Sequence, residues 1–183
     1  MKSISIEQSI LIKRLQHHSV LKTTLLNSLR FAQGIANKSE LESISKTDWT
    51  NAKDMTSRPY VHQVQTILTN HILSMFNHQY QSIVIDQLWY QQYLQSDFHQ
   101  FHIHNAQYSA IYYLELKDNT YTQIINNNTI EDIEVTEGDV VVMPSTVVHR
   151  CPAVESEYRR TIISFNFDLE YFSETYMREL YAK

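Results

Sequence analysis

Glycine is nearly missing from this chain: Gly34 and Gly138 are the only two in 183 residues. Two isolated glycines cannot build either common Gly-rich phosphate loop, which excludes P-loop and Rossmann-type nucleotide binding. Cysteine is scarcer still. Cys151 is the single thiol, so neither an internal disulfide nor a CxxC zinc knuckle can form, and a reducing compartment is expected. Long apolar runs are absent as well. No stretch approaches the roughly 18 residues of a membrane span, and the opening MKSISIEQSILIKRLQHH breaks with charged and polar residues the run a signal peptide would need. A soluble, cytoplasmic protein without a membrane partner is the expectation. Nor is there a basic excess: 15 Lys+Arg against 20 Asp+Glu give a net charge of -5 and a pI of about 6.0, which disfavours nucleic acid as a partner. Nothing in the composition sets the oligomeric state.

What the chain has is apolar and aromatic material, 43% and 11% of residues, enough to bury the core of one domain of this length. Two textures divide it. Leu21, Leu25 and Leu29 recur every fourth residue in Ser19 to Phe31, and Val61, Val64, Leu68, Ile72 and Met75 do much the same from Tyr60 to Asn77, so both segments read as amphipathic helices. Pro59 stands where a helix start tolerates it. The polar stretch from Asn37 to Ser57 has no strong period and reads as loop, with Trp49 expected to anchor it on the core. After Gln81, short runs rich in Ile, Val, Tyr and Phe alternate with Asn, Asp and Ser, the pattern of successive strands. The strands expected are Ser82 to Tyr90, Phe98 to His104, Tyr108 to Leu116, Tyr121 to Ile125, Ile130 to Val135, Asp139 to Met143 and Arg159 to Phe167. Lys117-Asp118-Asn119 and Asn126-Asn127-Asn128 suit turns. Gly138 suits a positive φ at a strand start. The fold class is therefore mainly β with packed helices (α+β), a sandwich or barrel, with a helical support in 1–80, a β core in 81–168 and a short helix in 169–183.

The chain carries nine histidines, so one His-x-His pair by chance would be ordinary. Context gives His102-Ile103-His104 more weight. Residues two apart on a strand face one way, with Cα atoms about 6.6 Å apart, so two imidazoles can meet one metal. His149, 45 residues after His104, ends a segment that runs from Gly138-Asp139 through an apolar strand to Pro144-Ser145. A strand ending this way can present a third imidazole. His99 is three residues before His102 and by alternation falls on the opposite face, a non-ligand. In Arg159 to Phe167, alternation puts Arg160, Ile162, Ser164 and Asn166 on one face and Arg159, Thr161, Ile163, Phe165 and Phe167 on the other. The second face is apolar enough to lie under helices, which points Arg160 into the barrel, where a guanidinium requires an anionic partner. That partner is a bound carboxylate or a protein one such as Glu115 or Glu155, and Arg159 is the other candidate for the arginine.

In order, Trp89-Tyr90-Gln91-Gln92-Tyr93, Phe101-His102-Ile103-His104-Asn105, Tyr108-Ser109-Ala110-Ile111-Tyr112-Tyr113-Leu114, Gly138 to Ser145 ending at His149, and Arg160 to Asn166 resemble the 2-oxoglutarate and iron(II)-dependent oxygenases of bacteriophages and marine bacteria. The resemblance covers under half the chain. It implies a double-stranded β-helix (jelly-roll, cupin-like) core behind N-terminal helices, Fe(II) held by His102, His104 and His149, and the far carboxylate of 2-oxoglutarate on Arg160. Tyr112, Tyr113 and Ser164 are the supporting candidates. It further implies a dioxygenase that hydroxylates an unactivated C–H bond of a small molecule or peptide, with release of succinate and CO2. The wider superfamily places Asp or Glu where His104 stands. Three neutral ligands also occur in cupin dioxygenases that need no 2-oxoglutarate, so a cupin-type enzyme, or a non-catalytic binding module of viral type, stays open. Against the first cupin motif, Tyr108 and Ser109 stand where a Glu is wanted.

Overall fold

The computed structural model describes residues 9–117 and 120–182. Among the described residues eleven strands and three helices follow one another: β1 (Leu11–Arg14), α1 (His18–Phe31), β2 (Ile35–Lys38), β3 (Glu42–Thr47), a 3-10 turn (Trp49–Asn51), α2 (Pro59–Met75), β4 (Tyr80–Tyr93), β5 (Phe98–His102), β6 (Tyr108–Glu115), β7 (Thr122–Asn126), β8 (Thr129–Ile133), β9 (Asp139–Pro144), β10 (His149–Cys151), β11 (Arg160–Phe172) and α3 (Glu174–Tyr181). The first two helices begin and end close to where the apolar period places them. The C-terminal helix expected over 169–183 starts only at Glu174, because β11 runs on to Phe172 against Tyr80 of β4. The strands after Gln81 are those expected, with β10 added.

All ladders are antiparallel, in the order β1-β9-β6-β11-β4-β3-β5-β10-β7-β8, with β2 on β3. This is a sheet curled on itself, a double-stranded β-helix. Its first half, built on the long β4–β11 pairing from Arg160↔Tyr93 to Phe172↔Tyr80, carries the helices. On that side Leu25 and Leu29 of α1 and Val61, Val64, Leu68 and Ile72 of α2 form one core with Ile163, Phe165 and Phe167 of β11. On the inner side Ile162, Ile111, Tyr113, Val141 and Met143 face Ile44, Ile133 and Cys151 across the barrel. The β11 alternation is thus as the sequence reads. Each fully buried Phe or Leu here contributes about 1.5–3 kcal/mol, so the two faces of β11 tie helices and barrel into one unit.

The stretch from Asn37 to Ser57, expected to be a loop, instead holds β3 and part of β2. Glu-Ser-Ile-Ser-Lys-Thr hides its strand character because both flanks are polar, yet Ile44 is 1% exposed and β3 pairs with both β4 and β5. The segment after β3 is pinned by a buried carboxylate: Asp48 accepts from Arg58 Nη1 at 2.8 Å, from the Tyr60 hydroxyl at 2.7 Å and from the Tyr90 N–H at 3.0 Å. That network fixes Trp49, which does not anchor a core as expected. Its ring, 42% exposed, meets Trp89 edge-on with centroids 4.4 Å apart.

The Asn turn is as expected: Asn127 and Asn128 take φ of 48° and 64° between β7 and β8. Part of the Lys117-Asp118-Asn119 turn lies outside the described residues. Gly138 has φ 99°, and a Cβ there would stand 2.8 Å from His18 Cγ. Its lack of a side chain therefore serves both the turn and the seat of α1.

Candidate metal centre

His102 ends β5 and His149 opens β10, and the two are paired across the ladder. The chain then turns so that the His104 N–H donates to the Ser145 carbonyl at 3.0 Å, which brings the third imidazole to the same spot. The ligating nitrogens of His102, His104 and His149 lie within 4.8 Å of one another. His104 Nε2 and His149 Nε2 are 3.3 Å apart. An ion about 2.1 Å from each imidazole nitrogen separates neighbouring ligand atoms by about 3 Å, so this pair already has the spacing a metal requires.

The backbone sets the tautomers. His102 Nδ1 donates to the Gln100 carbonyl at 2.7 Å and His149 Nδ1 to the Val147 carbonyl at 3.0 Å. A carbonyl only accepts, so each Nδ1 carries the proton and each Nε2 keeps its lone pair for the centre, the outer support typical of metal-binding imidazoles. Burial, then the neighbouring imidazoles, pushes His104 down to about 3, and burial followed by His102 pushes His149 down to about 4. His102 is lowered as well, chiefly by burial. All three are neutral at physiological pH, the form that ligates.

His99 corrects the alternation argument. Its ring stacks on His102 with centroids 4.0 Å apart and lines the same cavity. The cause is a bulge: His149↔His102 is followed by Cys151↔His99, two residues on β10 matched to three on β5. The extra residue swings His99 back toward the site. Its Nε2 faces Glu42 Oε2 at 3.3 Å, outside the triad.

The cavity runs inward from the triad past Ser164 and Gln91 to Arg160. Arg160 is 1% exposed, and its guanidinium sits between the Tyr93 and Tyr113 rings, 5.6 and 5.3 Å from their centroids. Nη1 donates to Cys151 Sγ at 2.8 Å and Nη2 to Thr122 Oγ1 at 3.0 Å. The Tyr113 and Thr122 hydroxyls share a 2.7 Å hydrogen bond. Of the two arginines considered, Arg159 makes a bidentate pair with Glu115 at 2.9 and 3.0 Å on the outside, so the inward guanidinium is that of Arg160. Tyr112 needs correction: the alternation that points Tyr113 inward points Tyr112 under the helices, where its hydroxyl meets His18 Nδ1 at 2.7 Å. Cys151, Thr122, His99 and Glu42 escape the sequence reading. A three-residue strand and a bulge bring in Cys151 and His99, and neither leaves a periodic signal.

No protein-family model and no curated protein matches the chain. Solved structures do. A 2OG-Fe(II) oxygenase family oxidoreductase from Burkholderia pseudomallei superposes with a TM-score of 0.69 at 12% identity, over 87% of this chain and 85% of that one. This is the fold of the 2OG-Fe(II) oxygenases. Within that fold the chain is also similar to HygX from Streptomyces hygroscopicus, solved with nickel, 2-oxoglutarate and hygromycin B bound (TM-score 0.69, 11% identity, 91% and 85% coverage). A prolyl-4-hydroxylase from Pseudomonas putida matches over 90% of this chain and 94% of its own, with a TM-score of 0.63 at 14% identity. No helix among the described residues of this oxygenase fold is long and apolar enough to cross a membrane.

Proposed function

We propose that the chain is an Fe(II)- and 2-oxoglutarate-dependent dioxygenase acting on a C–H bond of a small molecule or peptide. The observation that carries this reading is one cavity with three lone-pair-bearing imidazoles at its outer end and a buried guanidinium at its inner end. The donor set fits both groups. His102, His104 and His149 would hold the iron. Three neutral ligands leave its charge uncompensated, and a dianionic co-substrate with one end toward the metal and the other on Arg160 supplies the balance. Tyr113 and Thr122 offer hydroxyls beside that second carboxylate, and Ser164 lines the path between.

The chemistry that Fe(II) and 2-oxoglutarate supply when bound is oxidation of a C–H bond by dioxygen, with release of succinate and CO2. The protein's residues orient and enclose. The carbonyls of Gln100 and Val147 hold two ligands in one tautomer, Arg160 sets the direction of the co-substrate, and Trp89, stacked on His104 at 5.8 Å, braces that ring. The all-nitrogen triad also favours a second reading, a cupin-type dioxygenase that needs no 2-oxoglutarate. Anaerobic addition of Fe(II) and 2-oxoglutarate separates the two: the chelate gives a weak charge-transfer band near about 500–530 nm. Bound metal without that band, and without succinate formation in air, favours the cupin reading.

A further inference from the structure

On the side of the triad away from Arg160, a second cavity of about 180 Å3, sharing Trp89, His99, His102 and His104 with the inner one, opens between β3, β5 and the 3-10 turn. His102 and His104 form its floor. Trp49, Trp89 and Ile103 line its sides, and Ile103 is 58% and Trp49 42% exposed, so its lips are apolar. Among the described residues that line it, Glu42 is the one carboxylate, and none is Lys or Arg. Glu42 Oε1 accepts from Asn37 Nδ2 at 2.6 Å and Oε2 faces His99 Nε2 at 3.3 Å. A carboxylate has about four lone-pair sites, and the Glu42 side chain is 23% exposed, so it can accept further donors from the cavity.

We propose that this compartment binds the cationic end of the substrate, an alkylammonium or alkylguanidinium group on an apolar stem. The assignment rests on the oxygenase reading for the fate of the substrate, while cation binding stands on the cavity itself. A carboxylate behind apolar lips selects a positive head on an apolar shaft, and tryptophan is the strongest aromatic partner for such a cation. A single imidazole, His99, separates Glu42 from the triad, 3.3 Å from the carboxylate and stacked at 4.0 Å on His102. A cation held by Glu42 therefore leaves a carbon a few bonds away beside the metal ligands. The substrates this favours are amines and guanidines, including basic peptide side chains, over neutral or acidic molecules.

Trp49 and Trp89 are the only tryptophans in the chain, so intrinsic fluorescence reports this compartment directly. The Ni(II)-loaded protein, with and without 2-oxoglutarate, is titrated with n-pentylammonium, n-pentylguanidinium and n-pentanol. The expected result is a saturable emission change with one or both cations, at least tenfold weaker with pentanol. Glu42→Gln keeps a carbonyl acceptor for Asn37 and turns an amide N–H toward His99 Nε2, which a neutral imidazole can accept, but it removes the charge. It should weaken cation binding at least tenfold while leaving pentanol unchanged, and its Ni(II) affinity, measured in parallel, reports the integrity of the triad. Pentanol binding as tightly as the cations on the unmodified protein, or Glu42→Gln binding cations unchanged, would overturn the proposal. Absence of the 2-oxoglutarate chelate band would overturn the oxygenase reading alone, since cation binding is read without it.

Discussion

Replacing Arg160 by Met is the sharpest test of how the inner end of the cavity works. The guanidinium is 1% exposed, donates to Cys151 Sγ and Thr122 Oγ1, and is flanked by two tyrosine rings. Removing one partner of a buried, hydrogen-bonded charge pair costs about 3–5 kcal/mol. At 1.4 kcal/mol per tenfold, 2-oxoglutarate affinity should fall by roughly 10² to 10³·⁵-fold. Stability should move far less. Met fills similar space, a desolvated charge disappears, and Tyr113 and Thr122 already bond each other at 2.7 Å; a net change of about 1 kcal/mol shifts Tm by about 2–4 °C at this size. Calorimetric titration first with Ni(II) and then with 2-oxoglutarate reads the two sites separately. Unchanged 2-oxoglutarate affinity, or Ni(II) and 2-oxoglutarate affinities falling together, would refute the division of labour between triad and arginine.

Other consequences can be measured as directly. His149→Ala removes a ligand whose tautomer the backbone fixes, and Ni(II) affinity should fall by more than the roughly 10–100-fold typical of losing an outer-shell partner; His99→Phe, outside the triad, should stay within about tenfold. In the metal-free protein the folded-state values of His99 and His104, about 3, and of His149, about 4, lie below the ordinary histidine value. The unfolded chain therefore binds more protons between about pH 6.5 and 4, so stability is greatest above about 6.5 and falls with acidity. The slope is up to about 1.4 kcal/mol per pH unit for each group; urea melts at pH 7 and 5 check this, and equal midpoints would contradict it. Gly138→Ala forces a side chain into φ 99° and against His18, and should lower stability by about 1–3 kcal/mol in thermal melts.

The legible parts of this protein are those where side-chain period and burial coincide. Ile163, Phe165 and Phe167 under the helices, with Arg160, Ile162 and Ser164 within the barrel, follow from counting by twos along β11. The His102 and His104 pair, and His149 with them, could be read because a short strand and its turn carry all the geometry. The illegible parts have local causes. β3 places Glu42 and Ile44 on the cavity side and Ser43, Ser45 and Thr47 in hydrogen bonds to Asp97 and the Tyr90 carbonyl on the other, so its sequence has no apolar period. A bulge opposite Cys151 moves His99 to the face that alternation forbids, and Trp49 is held by Asp48 contacts distant in sequence.

The position of β3 bears on how the chain must be made. It stands in the middle of the sheet, between β4 and β5, although it belongs to the segment that emerges from the ribosome before either of them. Only β2 can pair with it early, and the ladders it makes with β4 and β5 wait until those later strands are made. A fragment beginning at residue 80 would keep every imidazole of the triad yet expose two raw ladder edges where β3 belongs, and such a truncation is expected to aggregate rather than yield a minimal metal-binding barrel.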